Sequence, residues 1–257
     1  MRIDKPNRQQ EKQLRNLWKA TFGDSEAFLD DFFQTAYAPD KVRCVLEEDK
    51  VIAALYWLDC SYQEEKIAYI YAVATDENYR GQGIGSKLLE NTHEHLRGLG
   101  YAGTILVPAG EKLFDFYAKR GYQTTCYIDE FVCEGAVGGS LSIRECDKDT
   151  YAKLRRNFLS EDAVVQEGKN LDFLETQAKF YTDENFLMAC SVDEKTKELT
   201  GIELLGDTTV APFIVEELGC KKGIFRIPGN KKAFAMYHAL QTENVSKLPR
   251  YFGFAYD

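Results

Sequence analysis

The sequence predicts an α/β fold (α+β by some conventions) made of two similar units in tandem. Three observations carry this reading. Helix-period and strand-period hydrophobic runs alternate along the whole chain. With 257 residues, 44% hydrophobic and 28% charged, the composition is that of a globular protein, long enough for one large domain or two. Residues 105–117 align without gaps on 225–237, an offset of 120 positions, with Pro108/Pro228, Lys112/Lys232, Phe114/Phe234 and Tyr117/Tyr237 coinciding. That match, in a shared strand–Pro–helix context, suggests duplication.

The elements follow in order. Leu14, Leu17, Trp18 and Phe22 recur at helical spacing. Asp24 or Ser25 can cap a second helix carrying Phe28, Leu29, Phe32 and Phe33, which Pro39 breaks. Strand-like runs at 42–47, 51–59 and 66–75 have short polar connections, as in an antiparallel meander. A glycine-rich turn at 76–85 opens a helix to about residue 99, which Gly98 and Gly100 end. A strand at 102–107 stops at Pro108, a short helix at 111–119 stops at Gly121, and strands at 122–128 and 130–134 close the unit. The small-residue segment 135–140 reads as a linker, so the expected units are 1–136 and 141–257. The second repeats the order: a strand at 141–144, helices at 147–159 and 170–180, strands at 186–192 and 199–205, a helix at 210–218, a strand at 223–227, a helix at 231–240 and a last strand at 250–256.

Charge and cysteines remove several function classes. The net charge is −9, with 16 basic against 22 acidic residues up to residue 137 and 16 against 19 beyond it. Neither half is a basic module, which argues against a nucleic-acid partner. The seven cysteines form no C-x-x-C pair, so they read as reduced, mostly buried thiols of a cytoplasmic protein. No apolar run approaches the roughly 20 residues of a membrane span, and the N-terminus has no apolar signal region. His93 and His95 point to different faces of their helix and His238 has no partner pattern, so no metal site is expected. An oligomer is allowed.

The chemistry concentrates in Arg80-Gly81-Gln82-Gly83-Ile84-Gly85, between a strand and a long helix. Glycines let the backbone approach a ligand and aim successive N–H groups at it, and the helix N-terminus adds partial positive charge. The spacing satisfies neither a Walker P-loop nor a Rossmann G-x-G-x-x-G. It does satisfy Arg/Gln-x-x-Gly-x-Gly/Ala, through Arg80, Gly83 and Gly85.

That pattern, within the block 73–89 and followed by Phe116-Tyr117 and Gly121-Tyr122, resembles the acetyl-CoA site of the GCN5-related N-acetyltransferase (GNAT) superfamily. The resemblance covers roughly residues 1–135. It implies GNAT-type folds, with mixed central sheets flanked by helices, and acetyl-CoA as cosubstrate. It implies that Val73, Ala74 and Thr75 offer backbone groups to the pantetheine arm. The turn amides, Gly81 to Ser86 with Gln82 and Ile84 among them, would grip the pyrophosphate. Tyr117 would protonate the leaving thiolate, which suits a reaction in which an amine attacks a thioester carbonyl. The sequence departs from many relatives where Pro108-Ala109-Gly110 replaces an asparagine, leaving backbone groups near Gly110, or Lys112, to contact the cofactor.

The second half has no glycine turn in the aligned stretch 206–212, which also carries Pro212. A live unit followed by a degenerate one is similar to Eis-like acetyltransferases. That likeness implies that the chain end, Asp257, enters the first unit's active site as base. Trp18, Phe22, Asp24, Phe28 and Phe32 lie where this family shapes the acceptor pocket, although most read equally as core. Glu130 could face the thioester or be a solvated charge. The expected reaction is acetyl transfer by direct attack to a primary amine of a small molecule or peptide. No cysteine sits in a nucleophile context. The alternatives are a non-catalytic CoA-binding regulatory module, or a longer-acyl or aminoacyl transferase on the same tandem fold.

Overall fold

A computed structural model describes residues 1–138, 141–241 and 247–256. Its strands are β1 (Arg2–Asp4), β2 (Val42–Glu47), β3 (Lys50–Tyr62), β4 (Glu65–Thr75), β5 (Gly103–Leu106), β6 (Gln123–Glu134), β7 (Arg144–Cys146), β8 (Val165–Gln166), β9 (Lys179–Thr182), β10 (Phe186–Asp193), β11 (Glu198–Gly206), β12 (Lys222–Pro228) and β13 (Lys232–Ala239). Its helices are α1 (Glu11–Phe22), α2 (Glu26–Thr35), α3 (Ile84–Gly98), α4 (Glu111–Ala118), α5 (Lys148–Phe158), α6 (Lys169–Gln177) and α7 (Ala211–Glu217).

Local chemistry explains most boundaries. Gly23, at φ +79°, ends α1, and the Ser25 hydroxyl accepts from the Phe28 amide to start α2. The rival cap, Asp24, instead accepts from the Trp18 indole at 2.7 Å. The expected strands at 122–128 and 130–134 are one continuous strand, β6.

The strands join in a single mixed sheet of order β1-β2-β3-β4-β5-β13-β6-β12-β11-β10-β9-β7, with β8 paired beside β3. The order reads almost the same from either end. The parallel pairs are β4·β5 and β11·β12, one in each half. The last strand of each half joins the other: β13 lies between β5 and β6, and β6 between β13 and β12. One face packs against α1, α2, α5 and α6, around Trp18, Phe32, Tyr151 and Phe173. The other is covered by α3 and α4 at one end and by α7 at the other.

Two expected elements are corrected. The helix expected at 231–240 is instead strand β13, Lys232–Ala239. Its Lys, Ala and Met content suits a helix, but the chain here fills a slot between two strand edges, and both of its faces are buried. The strand–Pro–helix context of 105–117 is therefore not shared by 225–237, and Tyr237 lies on a strand opposite Ile105. Residues 250–256 are not a sheet strand. They form an extended, mostly buried segment whose one ladder contact among the described residues is Tyr251 with Ala163.

That segment is anchored by a buried charge. Glu203, on β11, is fully buried and accepts from Arg155 Nε at 2.7 Å, Arg155 Nη2 at 2.9 Å, Tyr151 Oη at 2.6 Å and Tyr251 Oη at 2.9 Å. Burial pushes the Glu203 carboxyl up, but the Arg155 charge and these donors hold it below its ordinary value. Gln166 then clamps the next residues, donating to the Phe254 carbonyl at 2.8 Å and accepting from the Gly253 and Phe254 amides. Glu203→Gln leaves the Arg155 charge buried without its partner and should cost about 3–5 kcal/mol. Urea unfolding should show that loss, and the Glu203→Gln/Arg155→Met double variant should recover most of it.

Candidate active site

Strands β4 and β5 pair only from Ile67/Gly103 to Tyr69/Ile105. β4 then runs on to Thr75 while β5 stops at Leu106. A bulge adds to the separation: Ala72 and Val73 together face Leu55 of β3, and Ala72 takes φ +48°. Among the described residues no strand pairs with the β5-facing edge of β4 beyond Tyr69. Into this opening falls a cavity of about 310 Å³. β4 lines one side with Tyr69 to Val73, and Leu106, Val107 and Ala109 line the other.

Tyr117, on α4, closes one wall. Its ring packs against Phe116 and Tyr122. Burial pushes its phenol up to about 12, with the Arg120 charge pulling the other way. It therefore remains protonated, as a proton donor must. The opposite wall carries Trp18, Phe22 and Asp24 from α1 and the turn after it. Asp24 is the one carboxylate lining the cavity among the described residues. The tail supplies Ala255 and Tyr256. The Tyr71 hydroxyl donates to the Tyr256 carbonyl at 2.7 Å, and the Tyr256 hydroxyl to the Asn170 carbonyl at 2.6 Å.

The glycine turn lies at the end of β4. A 3-10 turn, Glu77–Tyr79, leads into residues 80–83 and then α3. Gly81 and Gly83 have φ +77° and +74°, with open space where a side chain would stand. No side chain caps α3, so the amides of its first turn are available to an anion. Arg80 is turned back, its Nε donating to the Thr75 carbonyl at 3.0 Å, and Gln82 reaches the Asn78 carbonyl. The Ile84 side chain is buried under α3, leaving only its amide for a ligand.

The structure thus brings Val73 and Tyr117 to one cavity; Thr75, the last residue of β4, and residues 80–86 beyond it lie outside the cavity lining. Ala74 is buried in the β3·β4 ladder. Gly110 starts α4, and Lys112 stands exposed on its first turn, outside the cavity lining. Of the acceptor candidates, Trp18, Phe22 and Asp24 line the cavity. Phe32 is core, and Phe28 lines a second cavity on the far side of Tyr256. Glu130 also belongs to that second cavity, where it pairs with Lys232 at 2.5 Å. His93 stacks on His238 and bonds Tyr122 at 2.9 Å; among the described residues no cluster could hold a metal. Asp257 lies outside the described residues. Tyr71 and Arg120 carry no site pattern of their own in the sequence. Tyr256 carries a signal only as part of an apolar terminal run.

In the second half, the 3-10 turn Thr208–Val210 runs directly into α7, with Pro212 in its first turn. The four residues that build the turn at 80–83 have no counterpart there.

Residues 11–122 match the model of the acetyltransferase (GNAT) family. No curated protein sequence matches the chain. Among solved structures, the fold is similar to a GCN5-related N-acetyltransferase from Kribbella flavida (TM-score 0.72, 16% identity, 92% of this chain and 70% of that one). A GCN5-related N-acetyltransferase from Anabaena variabilis gives TM-score 0.72 and 16% identity over 93% and 73%. Eis1 from Mycobacterium abscessus gives 0.69 and 8% over 93% and 74%. At these identities the likeness is one of fold.

The left-handed turn is directly testable. Gly83→Ala forces a side chain into φ +74° and should cost about 1–2 kcal/mol, read from the unfolding free energy. Residues 11–122, which build most of the cavity and the glycine turn, are thus the part of the chain that matches the acetyltransferase (GNAT) family model.

Proposed function

We propose that the protein transfers an acetyl group from acetyl-CoA to an amine of a small molecule or peptide, by direct attack. The observation that carries this reading is the convergence, where β4 leaves β5, of uncapped helix amides and a buried, protonated tyrosine. The residues present fit the cosubstrate. The open glycine turn and the amides up to Ser86 suit its diphosphate, and the backbone of β4 at Val73 to Thr75 suits its amide-rich arm. Bound there, acetyl-CoA supplies the acyl group as an activated thioester.

The chain's own groups do the rest. Backbone N–H groups of β4 near Val73 orient the thioester end and favour developing negative charge. Tyr117 holds a proton at Oη for the departing sulfur. The aromatic wall of Trp18, Phe22, Tyr71 and Tyr256 excludes water, and Asp24 favours a cationic amine over a neutral acceptor. Asp257 is the proposed base, supported by the delivery of the chain to the cavity wall one residue earlier, at Tyr256. We also read 1–136 and 141–257 as duplicated units, the second without a cradle. The near-palindromic strand order supports this.

The test is thiol release from acetyl-CoA across a panel of amines, polyamines, aminoglycosides and N-terminal peptides. Turnover with one acceptor class is expected. Tight CoA binding without turnover would favour a regulatory module. Tyr117→Phe should lower kcat by roughly 10²–10⁴-fold while CoA affinity holds. Because the phenol titrates near 12, kcat should show no basic limb from this group at ordinary assay pH. Deleting Asp257 should abolish turnover and leave CoA affinity intact; unchanged turnover rejects it as the base.

A further inference from the structure

Arg120 follows α4, between Tyr117 and Gly121, and its guanidinium reaches across to α3. Its Nε donates to the Ser86 hydroxyl oxygen at 2.9 Å, and Nη2 donates to the same oxygen. Nη1 donates to the Phe116 carbonyl, and the guanidinium carbon lies 3.4 Å from the centre of the Phe116 ring. Burial draws its pKa down, with the neighbouring Tyr117 phenol pulling the other way. Among the described residues no carboxylate pairs with it, so a partly desolvated cation stands beside the first turn of α3 without a counter-charge.

Ser86 is the third residue of α3, among the amides left uncapped behind Gly83. With its oxygen accepting twice from Arg120, the hydroxyl has its proton free to donate elsewhere. That adds an O–H donor to a cluster of N–H donors, backed by a full positive charge.

We propose that Arg120 is a positioning residue for the diphosphate of the cosubstrate: it fixes the Ser86 hydroxyl as a donor and supplies the charge that the backbone cradle lacks. This rests on the acetyl-CoA reading above and assigns the cradle a side chain from outside the glycine pattern. The neighbouring Arg80, whose Nε is spent on a backbone carbonyl, does not occupy that position.

The test compares wild type, Arg120→Met, Arg120→Lys, Ser86→Ala and Ser86→Ala/Arg120→Met. CoA affinity is measured by calorimetry at two salt concentrations, and turnover with acetyl-CoA and with S-acetylpantetheine, which has no diphosphate. Arg120→Met should weaken CoA binding about tenfold or more and reduce its salt dependence, with Arg120→Lys recovering part of the loss. The double variant should bind no worse than Arg120→Met, because both substitutions break one path. S-acetylpantetheine turnover should change little. The proposal is overturned if Arg120→Met and Ser86→Ala bind CoA as wild type does, or if both acyl donors lose turnover equally, which marks a packing role. If wild type itself fails to bind CoA, the acetyl-CoA reading falls, and this proposal with it.

Discussion

The parting of β4 from β5 is the constraint on which the site depends. Parallel strands satisfy their backbone groups only while they run together, so a strand that outruns its partner leaves donors and acceptors unpaired. The β4·β5 ladder ends at Tyr69/Ile105 while β4 runs on to Thr75, helped by the bulge at Ala72–Val73. The opening persists because β5 is held elsewhere: its other edge is taken by β13. A strand from the far end of the chain thus keeps β5 from being an exposed edge and fixes the mouth of the cleft.

The tail extends the same logic. Glu203, buried by β11, requires a cation and hydroxyl donors, and one of those donors is Tyr251 of the tail. Once Tyr251 is tied to the second half, Gln166 and Asn170 guide the chain to Tyr71, where Ala255 and Tyr256 become cavity wall. The second half thereby completes a cavity whose other walls, Tyr117 among them, belong to the first. A second cavity, of about 230 Å³, lies where β11 and β12 diverge, and Ala255 and Tyr256 wall it as well. Without a glycine turn, and with Pro212 removing an amide from the first turn of α7, that place lacks the donors to hold a diphosphate.

Local signals made much of this legible. Caps, glycines and prolines act within a few residues, so α1, α2, α3, α4 and β2 to β5 lie close to where their patterns place them. The turn at 80–85 and the tyrosine at 117 were readable for the same reason. The misplaced elements are those whose state depends on distant partners. Residues 232–239 have helical composition but fill a gap between two strands, and 250–256 have strand composition but find side-chain clamps instead of a ladder. Arg120 was equally hidden, since its partner Ser86 is 34 positions away in sequence.

By itself, then, the sequence determined the local chemistry of this protein: a glycine turn that only left-handed residues can make, an uncapped helix behind it, a tyrosine on a short helix, and a net negative charge. Those follow from backbone sterics and short-range periodicity. Only the tertiary structure decided that the last strand of each half crosses to the other, that a buried Glu203 draws the tail across the molecule, and that Asp24, Tyr71, Tyr117 and Tyr256 share one cavity. The physical reason is that strand pairing and charge burial are satisfied by whichever partner the whole fold brings near, and no short window of sequence contains that partner.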